Sequence, residues 1–221
     1  MKPELKFHSY IITITTLIVF SIWTRITDLV DKYPVLSVVA AGIITLGSYK
    51  AIALVCLAFF RKNRHFKKFI LGPTYMEGTW IGFFVGHENQ IRYLVETFEQ
   101  DLGELKIRGK VYRQDGTYHC SYVSNDASID VKEGTLSYSY DADTVTSTHK
   151  NPGLARFRFD REARESAPQR MVGYSSDLFH SKKLLAFEDK ETDDTIIGTE
   201  ASVKKAELIY QKYKAFSGVS T

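Results

Sequence analysis

Residues 34–60, "PVLSVVAAGIITLGSYKAIALVCLAFF", hold 27 positions with a single charge, Lys50. As a helix this stretch is roughly 40 Å long, enough to cross a hydrocarbon layer of ~30 Å with some tilt. A second run precedes it. "SYIITITTLIVFSIWT", residues 9–24, carries no charge over sixteen positions, and with Phe7 it reaches about 17 or 18 residues, the lower limit for a span. No small-x-small cleavage site follows. The chain continues "RITDLVDKYP", which favours an uncleaved anchor over a signal peptide. A hairpin buried in a soluble core is the other use for two such runs, but nothing comparably apolar follows to cover them. Two membrane spans are expected.

Charge orients them. Lys2 and Lys6 precede the first run, and Arg25 and Lys32 in the link are balanced by Asp28 and Asp31. Arg61, Lys62, Arg64, Lys67 and Lys68 follow the second run. The positive-inside rule then puts both termini in the cytoplasm, with the link outside. The basic cluster reads as a juxtamembrane stop that attracts anionic headgroups, at about 1 kcal/mol per charge near the surface, rather than as a nucleic-acid patch. Residues 1–69 carry ten lysines and arginines against three acids, +7, whereas the remaining 152 carry 19 against 23, −4. The expected division is a two-transmembrane region, 1–69, and a cytoplasmic domain, 70–221. Cys56 and Cys120 fall on opposite sides of that division, which argues against a disulfide framework and for a reducing compartment.

Lys50 stands ten residues before Phe60, near mid-membrane, where an ammonium costs at least ~2.5–3.5 kcal/mol and normally faces a partner or water. Snorkelling is the plain account; a partner-facing charge in an assembly is the functional one. Small and hydroxylated positions, Gly42 and Gly47 with Thr13, Thr16, Ser37 and Ser48, permit close helix packing.

After "LGPT" the hydrophobic period changes from helical to alternating. Eight segments, 74–86, 90–100, 104–116, 117–123, 135–140, 155–160, 169–179 and 183–189, are separated by turn chemistry such as "GHEN", "DLG", "QDG", "KEG" and "NPG". Leu105, Ile107 and Val111 alternate with Lys106, Arg108 and Lys110. Phe157 and Phe159 alternate with Arg156 and Arg158, which parity points outward. Short strands joined by hairpins predict an antiparallel meander. Closing it into an eight-stranded β-barrel removes the exposed edges and leaves room for one small ligand. The chain ends in an amphipathic helix with Ala206, Ile209, Tyr210, Tyr213 and Phe216 on one face.

No phosphate-cradling glycine loop, metal-ligand spacing or nucleophile elbow occurs, so neither an enzyme, nor a metal site, nor a cofactor is expected. His87 with Glu88, His119 beside Cys120, and the isolated His149 and His180 read as surface or satisfied groups. The aromatic side chains are the salient chemistry. Trp80, Tyr112, Tyr118, Tyr122, Tyr138, Tyr140 and Tyr174, with Arg113, are the candidates for stacking on a flat ligand and pairing with an anion. They serve equally as barrel filling. Arg92, Arg156, Arg158 and Arg170 are further rim candidates.

Two runs followed by a basic stop, "YMEGTWIGFF", the tyrosine-rich "TLSYSYD" and the late "MVGYSSD" resemble, in that order, the bacterial two-transmembrane, β-strand-rich effectors of cyclic-oligonucleotide-based anti-phage signalling (CBASS) systems. "Gly78-Thr79-Trp80" also looks like the glycine-x-tryptophan of lipocalins, which implies that Gly78 permits close strand approach and that Trp80 closes one end of the barrel. The CBASS resemblance implies a sensor joined to a membrane-disrupting effector. A partner nucleotidyltransferase makes a cyclic dinucleotide during infection, the barrel binds it, the proteins assemble into homo-oligomers, and the clustered spans breach the inner membrane and kill the cell. Nucleic-acid polymers have no part in that scheme. Two alternatives stay open: a membrane-tethered lipocalin-like carrier of a fatty acid or other apolar ligand, and a structural scaffold with a filled barrel.

Overall fold

The chain divides into two compact units, Met1–Leu71 and Gly72–Thr221. The computed structural model describes residues 2–25, 32–86, 89–144, 150–178, 182–195 and 200–216. Most of the link between the apolar runs, and the predicted turn or isolated groups His87, Glu88, His149 and His180, lie outside the described residues.

In the first unit the apolar runs form helices α1 (Pro3–Trp23) and α2 (Pro34–Lys62), each with proline in its first turn, where the missing N–H has no partner to lose. Both are long and apolar enough to cross a membrane. They differ from core helices of a soluble protein in what they leave uncovered: Leu17, Phe20, Val35, Val38, Leu46 and Val55 are each more than half exposed. Phe7 meets Phe60 edge to face with ring centres 6.1 Å apart, and the Tyr49 hydroxyl lies 2.8 Å from His8 Nδ1. Lys50 is exposed, and a side-chain carbon at Gly42 or Gly47 would meet no atom within 4 Å.

The basic cluster is not one segment. Arg61 and Lys62 end α2, the chain becomes extended at Asn63, and α3 (Arg64–Leu71) carries Arg64, Lys67 and Lys68. Asn63 caps the new helix, its Oδ1 accepting from the Phe66 N–H at 2.9 Å.

In the second unit eight antiparallel strands close into a barrel in chain order: β1 (Gly78–Val85), β2 (Ile91–Gln100), β3 (Leu105–Arg113), β4 (Tyr118–Asp130), β5 (Thr135–Thr144), β6 (Asn151–Asp160), β7 (Arg170–Asp177) and β8 (Leu184–Thr192). Closure runs from β8 back to β1, with Phe83 opposite Phe187 and Gly82 opposite Glu188. Leu105, Ile107 and Val111 are buried, as are Phe157 and Phe159, and Arg156 and Arg158 face out, so the alternation in β3 and β6 reads as expected. Several boundaries differ: β1 begins at Gly78 rather than at residue 74, and β5 and β8 run on to Thr144 and Thr192. β4 runs on to Asp130, pairing Ile129 with Leu136. "NPG" opens β6 instead of making a turn: Pro152 has no N–H to give, but its carbonyl accepts from Leu178 N at 2.9 Å.

One end of the barrel is packed solid. Met76, Trp80, Phe98, Leu136, Phe159 and Met171 fill it, each large side chain contributing ~1.5–3 kcal/mol by its burial. Trp80 is fully buried and its indole N–H donates to the Met76 carbonyl at 2.8 Å, while the Thr192 carbonyl passes where a Gly78 side chain would stand. On the outer wall of β1, β2 and β8 lies helix α4 (Glu200–Tyr213), which buries Val203, Ala206, Tyr210 and Tyr213 against Ile81, Phe83, Tyr93 and Phe187. Lys212 Nζ donates to Asp189 Oδ2 at 2.7 Å beside this contact.

Candidate ligand cavity

The other half of the barrel is not filled. A cavity of about 440 Å³ opens there, within the range of small-molecule sites. Inward-facing rings make much of its wall: Phe84 of β1, Tyr122 of β4, Tyr138 and Tyr140 of β5, and Phe157 of β6. Tyr122 and Tyr140 lie 5.2 Å apart, and Tyr138 stacks on Phe157 at 6.1 Å. Leu94, Val111, Leu184 and Ala186 complete the apolar surface. Burial pushes the Tyr140 hydroxyl up to about 12 and the Cys120 thiol to about 11, so both are neutral and Cys120 is a poor nucleophile.

The polar groups of the wall differ in charge sign. Arg92 and His119 line the cavity, with Arg113 close enough to act on His119, and Asn151, Ser175 and Asp177 also line it. His119 arrives through an irregularity. Val111 pairs with Cys120 but Tyr112 pairs with Tyr118, so His119 is an extra residue, and the bulge turns its imidazole to the cavity. Its pKa is lowered, first by burial and then by the charges of Arg92 and Arg113. It is therefore mainly neutral at pH 7 and poised to take a proton when a negative group arrives.

Beneath Tyr122 and Tyr138 lie two carboxyl groups, Glu96 of β2 and Glu188 of β8, both 0 % exposed. The strand between them is β1, and it is thin at one position. A side chain at Gly82 would have its first carbon 2.7 Å from Glu188 Cγ and 1.9 Å from the Phe187 carbonyl, so glycine clears the path by which Glu188 leans toward Glu96. On the other flank a carbon at Gly109 would sit 2.1 Å from Tyr122 Cζ. That vacancy lets the Tyr122 ring cross β3 and donate its hydroxyl to Glu96 Oε1. Tyr138 donates to the same oxygen at 2.9 Å. Desolvation raises Glu96, against hydrogen bonds from Glu188, Tyr122 and Tyr138 that lower it. Desolvation and the charge of Glu96 raise Glu188 well above the carboxylate range. Glu188 is thus the protonated member and Glu96 the acceptor.

Of the residues singled out from the sequence, Arg92, Tyr122, Tyr138 and Tyr140 come together in the cavity. Trp80 belongs to the packed end. Tyr112 and Tyr118 face each other edge to face at 6.2 Å, Tyr118 on the surface. Arg113 ends β3 and donates to Thr117 Oγ1 at 3.3 Å. Tyr174 lies under the Lys183 ammonium at 4.4 Å and borders a separate, shallower cleft with Arg156, Arg158 and Glu133. Arg170 pairs with Asp189 at 3.1 Å. Beside Arg92, the site's electrostatics are carried by Glu96, Glu188 and His119, which were not among the candidates. The two glutamates had a readable signal, since each sits on the inward parity of its strand: Leu94, Glu96, Phe98 and Leu184, Ala186, Glu188. Among the described residues no group of three or more His, Cys, Asp or Glu is arranged to hold a metal ion. No protein-family model matches the chain, and a search of curated proteins finds no match.

Proposed function

We propose that the chain is a membrane-anchored effector of bacterial antiviral defence whose barrel binds a cyclic dinucleotide, and that binding drives oligomerisation of the spans, disruption of the inner membrane and cell death. The observation that carries this reading is the pairing, in one cavity, of aromatic walls with Arg92 and the protonatable His119. A base stacked on Tyr140 or Phe84 gains ~1–3 kcal/mol, and a phosphate paired with an arginine gains ~1.5–3 kcal/mol per hydrogen bond. The −4 charge of the residues after 69 offers no general attraction for an anion, so recognition rests on Arg92 and on a proton taken up by His119. On the membrane side, support comes from two exposed apolar helices, the second of which ends in the basic pair Arg61 and Lys62. The charge distribution supports an orientation with both termini in the cytoplasm.

The apolar share of the cavity wall, Leu94, Val111, Leu184 and Ala186, supports a second reading, a tethered carrier of a fatty acid whose head group meets Arg92. Dye release separates the two. The full-length chain, reconstituted into liposomes of anionic and neutral phospholipid, should release dye on addition of a cyclic dinucleotide and not on addition of a fatty acid at concentrations that leave protein-free liposomes intact. Intact liposomes with every member of a cyclic-dinucleotide panel would contradict the effector reading.

A further inference from the structure

Glu96 and Glu188 are the part of the barrel that cavity lining alone does not account for. Three of their four oxygens, Glu96 Oε2 and both of Glu188, are buried without a donor from any other group. The fourth, Glu96 Oε1, accepts from both Tyr122 and Tyr138. Two ionised carboxylates cannot be accommodated at 0 % exposure with so few donors. A proton held on Glu188 and donated to Glu96 resolves most of the deficit and leaves one negative charge, on the carboxyl that two tyrosines support.

The surroundings do not cancel that charge. From β8, Lys190 faces inward but is taken up by Asp193 at 2.9 Å and by the rings of Tyr75 and Trp80 at the packed end. From β4 and β5 come Tyr122, Cys120, Tyr138 and Tyr140, all neutral. Arg92 and His119 stand in the cavity beyond those rings, with Asp177 of β7 also on its wall. The inward positions of β1, β3 and β6 near the pair are Gly82, Gly109, Ala155 and Phe157, which carry no charge. Tyr122 and Tyr138 have two roles: each forms cavity wall on one side and holds Glu96 on the other. A negative group in the cavity is therefore one ring away from Glu96, which is itself 0 % exposed.

We infer that Glu96 and Glu188 form a proton-binding site that holds one proton in the barrel alone and takes up a second, on Glu96, when an anionic ligand enters the cavity, so that ligand binding and proton uptake are coupled. This rests on the cyclic-dinucleotide reading above and adds its regulation. The proton comes from solvent, no bond to the ligand forms or breaks, and the site passes from one negative charge to none. By linkage, ligand affinity rises as pH falls, by up to about tenfold per pH unit for a full proton.

The test is calorimetric titration of the full-length chain in lipid nanodiscs with cyclic dinucleotides, in buffers of different ionisation enthalpy, from pH 6 to 9. Wild type should take up a measurable fraction of a proton per ligand bound. His119 contributes its own share, so the decisive comparison is with Glu96→Gln/Glu188→Gln, which keeps shape and removes both titrations. The double variant should bind more tightly than wild type at the alkaline end, with smaller uptake and a shallower dependence of affinity on pH. Should the double variant fail to fold, ligand-induced infrared difference spectra of wild type carry the same information: a protonated-carboxyl stretch should grow as a carboxylate stretch declines. Binding with equal uptake in wild type and double variant, or with no carboxyl change in the infrared, overturns the coupling and leaves the receptor reading standing. No binding by any cyclic dinucleotide overturns both.

Discussion

Glu188 meets Glu96 across a strand that neither belongs to, through the space left by the absent side chain of Gly82. Sheet neighbours two strands apart do not normally bring polar ends together. Here the intervening strand presents a bare backbone at the crossing, and the same device recurs at Gly109, where Tyr122 crosses β3 to reach Glu96 from the other side. The buried network is thus written into two glycines as much as into the groups that form it.

Those two glycines should fail differently. At Gly82 an alanine carbon would lie 1.9 Å from the Phe187 carbonyl, backbone that can move only by distorting the β1–β8 closure. Gly82→Ala should cost about 3 kcal/mol, lowering the melting temperature by roughly 6–12 °C. At Gly109 the obstacle is the end of the Tyr122 side chain, which can swing away. Gly109→Ala should melt closer to wild type, yet lose the Tyr122 contribution to the cavity. Near-ultraviolet circular dichroism melts, paired with ligand titration, separate the two outcomes.

The carboxyl pair gives stability a pH dependence of definite sign. Both glutamates are raised above the ordinary value of 4.5 in the folded barrel. Between that value and their folded values, the native state holds more protons than the unfolded chain. Stability therefore falls as pH rises from about 4.5, and levels off once the folded groups have also titrated. Glu96→Gln/Glu188→Gln should flatten this slope and be more stable than wild type above neutrality. Melting temperatures across the pH range check it; a parallel shift of both proteins would show that the slope arises elsewhere.

On the cavity wall, Arg92→Ala and His119→Ala should each weaken cyclic-dinucleotide binding by roughly 10–100-fold, the loss of about one charged hydrogen bond. Tyr174→Phe, on the outer wall, should leave affinity within twofold. Calorimetric dissociation constants decide, and equal effects from the cavity and the outer wall would remove the cavity from consideration.

Lys50 is the one charge in the apolar body of α2 and is exposed there. Lys50→Leu should alter assembly or the kinetics of dye release while leaving ligand affinity unchanged. Unchanged release would reduce Lys50 to a snorkelling residue.

Much of the architecture was legible because it depends on patterns that survive in one dimension. A charge-free run of helical length and a period of two with turn residues between are local, and the alternation of Phe157 and Phe159 with Arg156 and Arg158 stated which way each points. The second half of β4 was not legible, since "SNDASID" offers only Ala127 and Ile129 to the core and an irregularity between Ser124 and Asp126 breaks the parity. The cavity was half legible. Tyr122, Tyr138 and Tyr140 follow parity, but His119 depends on a bulge, which adds one residue without marking which one. Glu96 and Glu188 each announced a buried carboxyl by parity. That they meet depends on strand order and on Gly82, information that exists only once the barrel closes.

The most direct measurement is the heat of binding of cyclic dinucleotides to the full-length chain in nanodiscs, with Arg92→Ala and Tyr140→Ala beside wild type. The account predicts saturable binding, one ligand per barrel, by at least one member of the panel, and its loss in both variants while the fold is kept. Absence of binding across the panel, or binding indifferent to Arg92 and Tyr140, would contradict it.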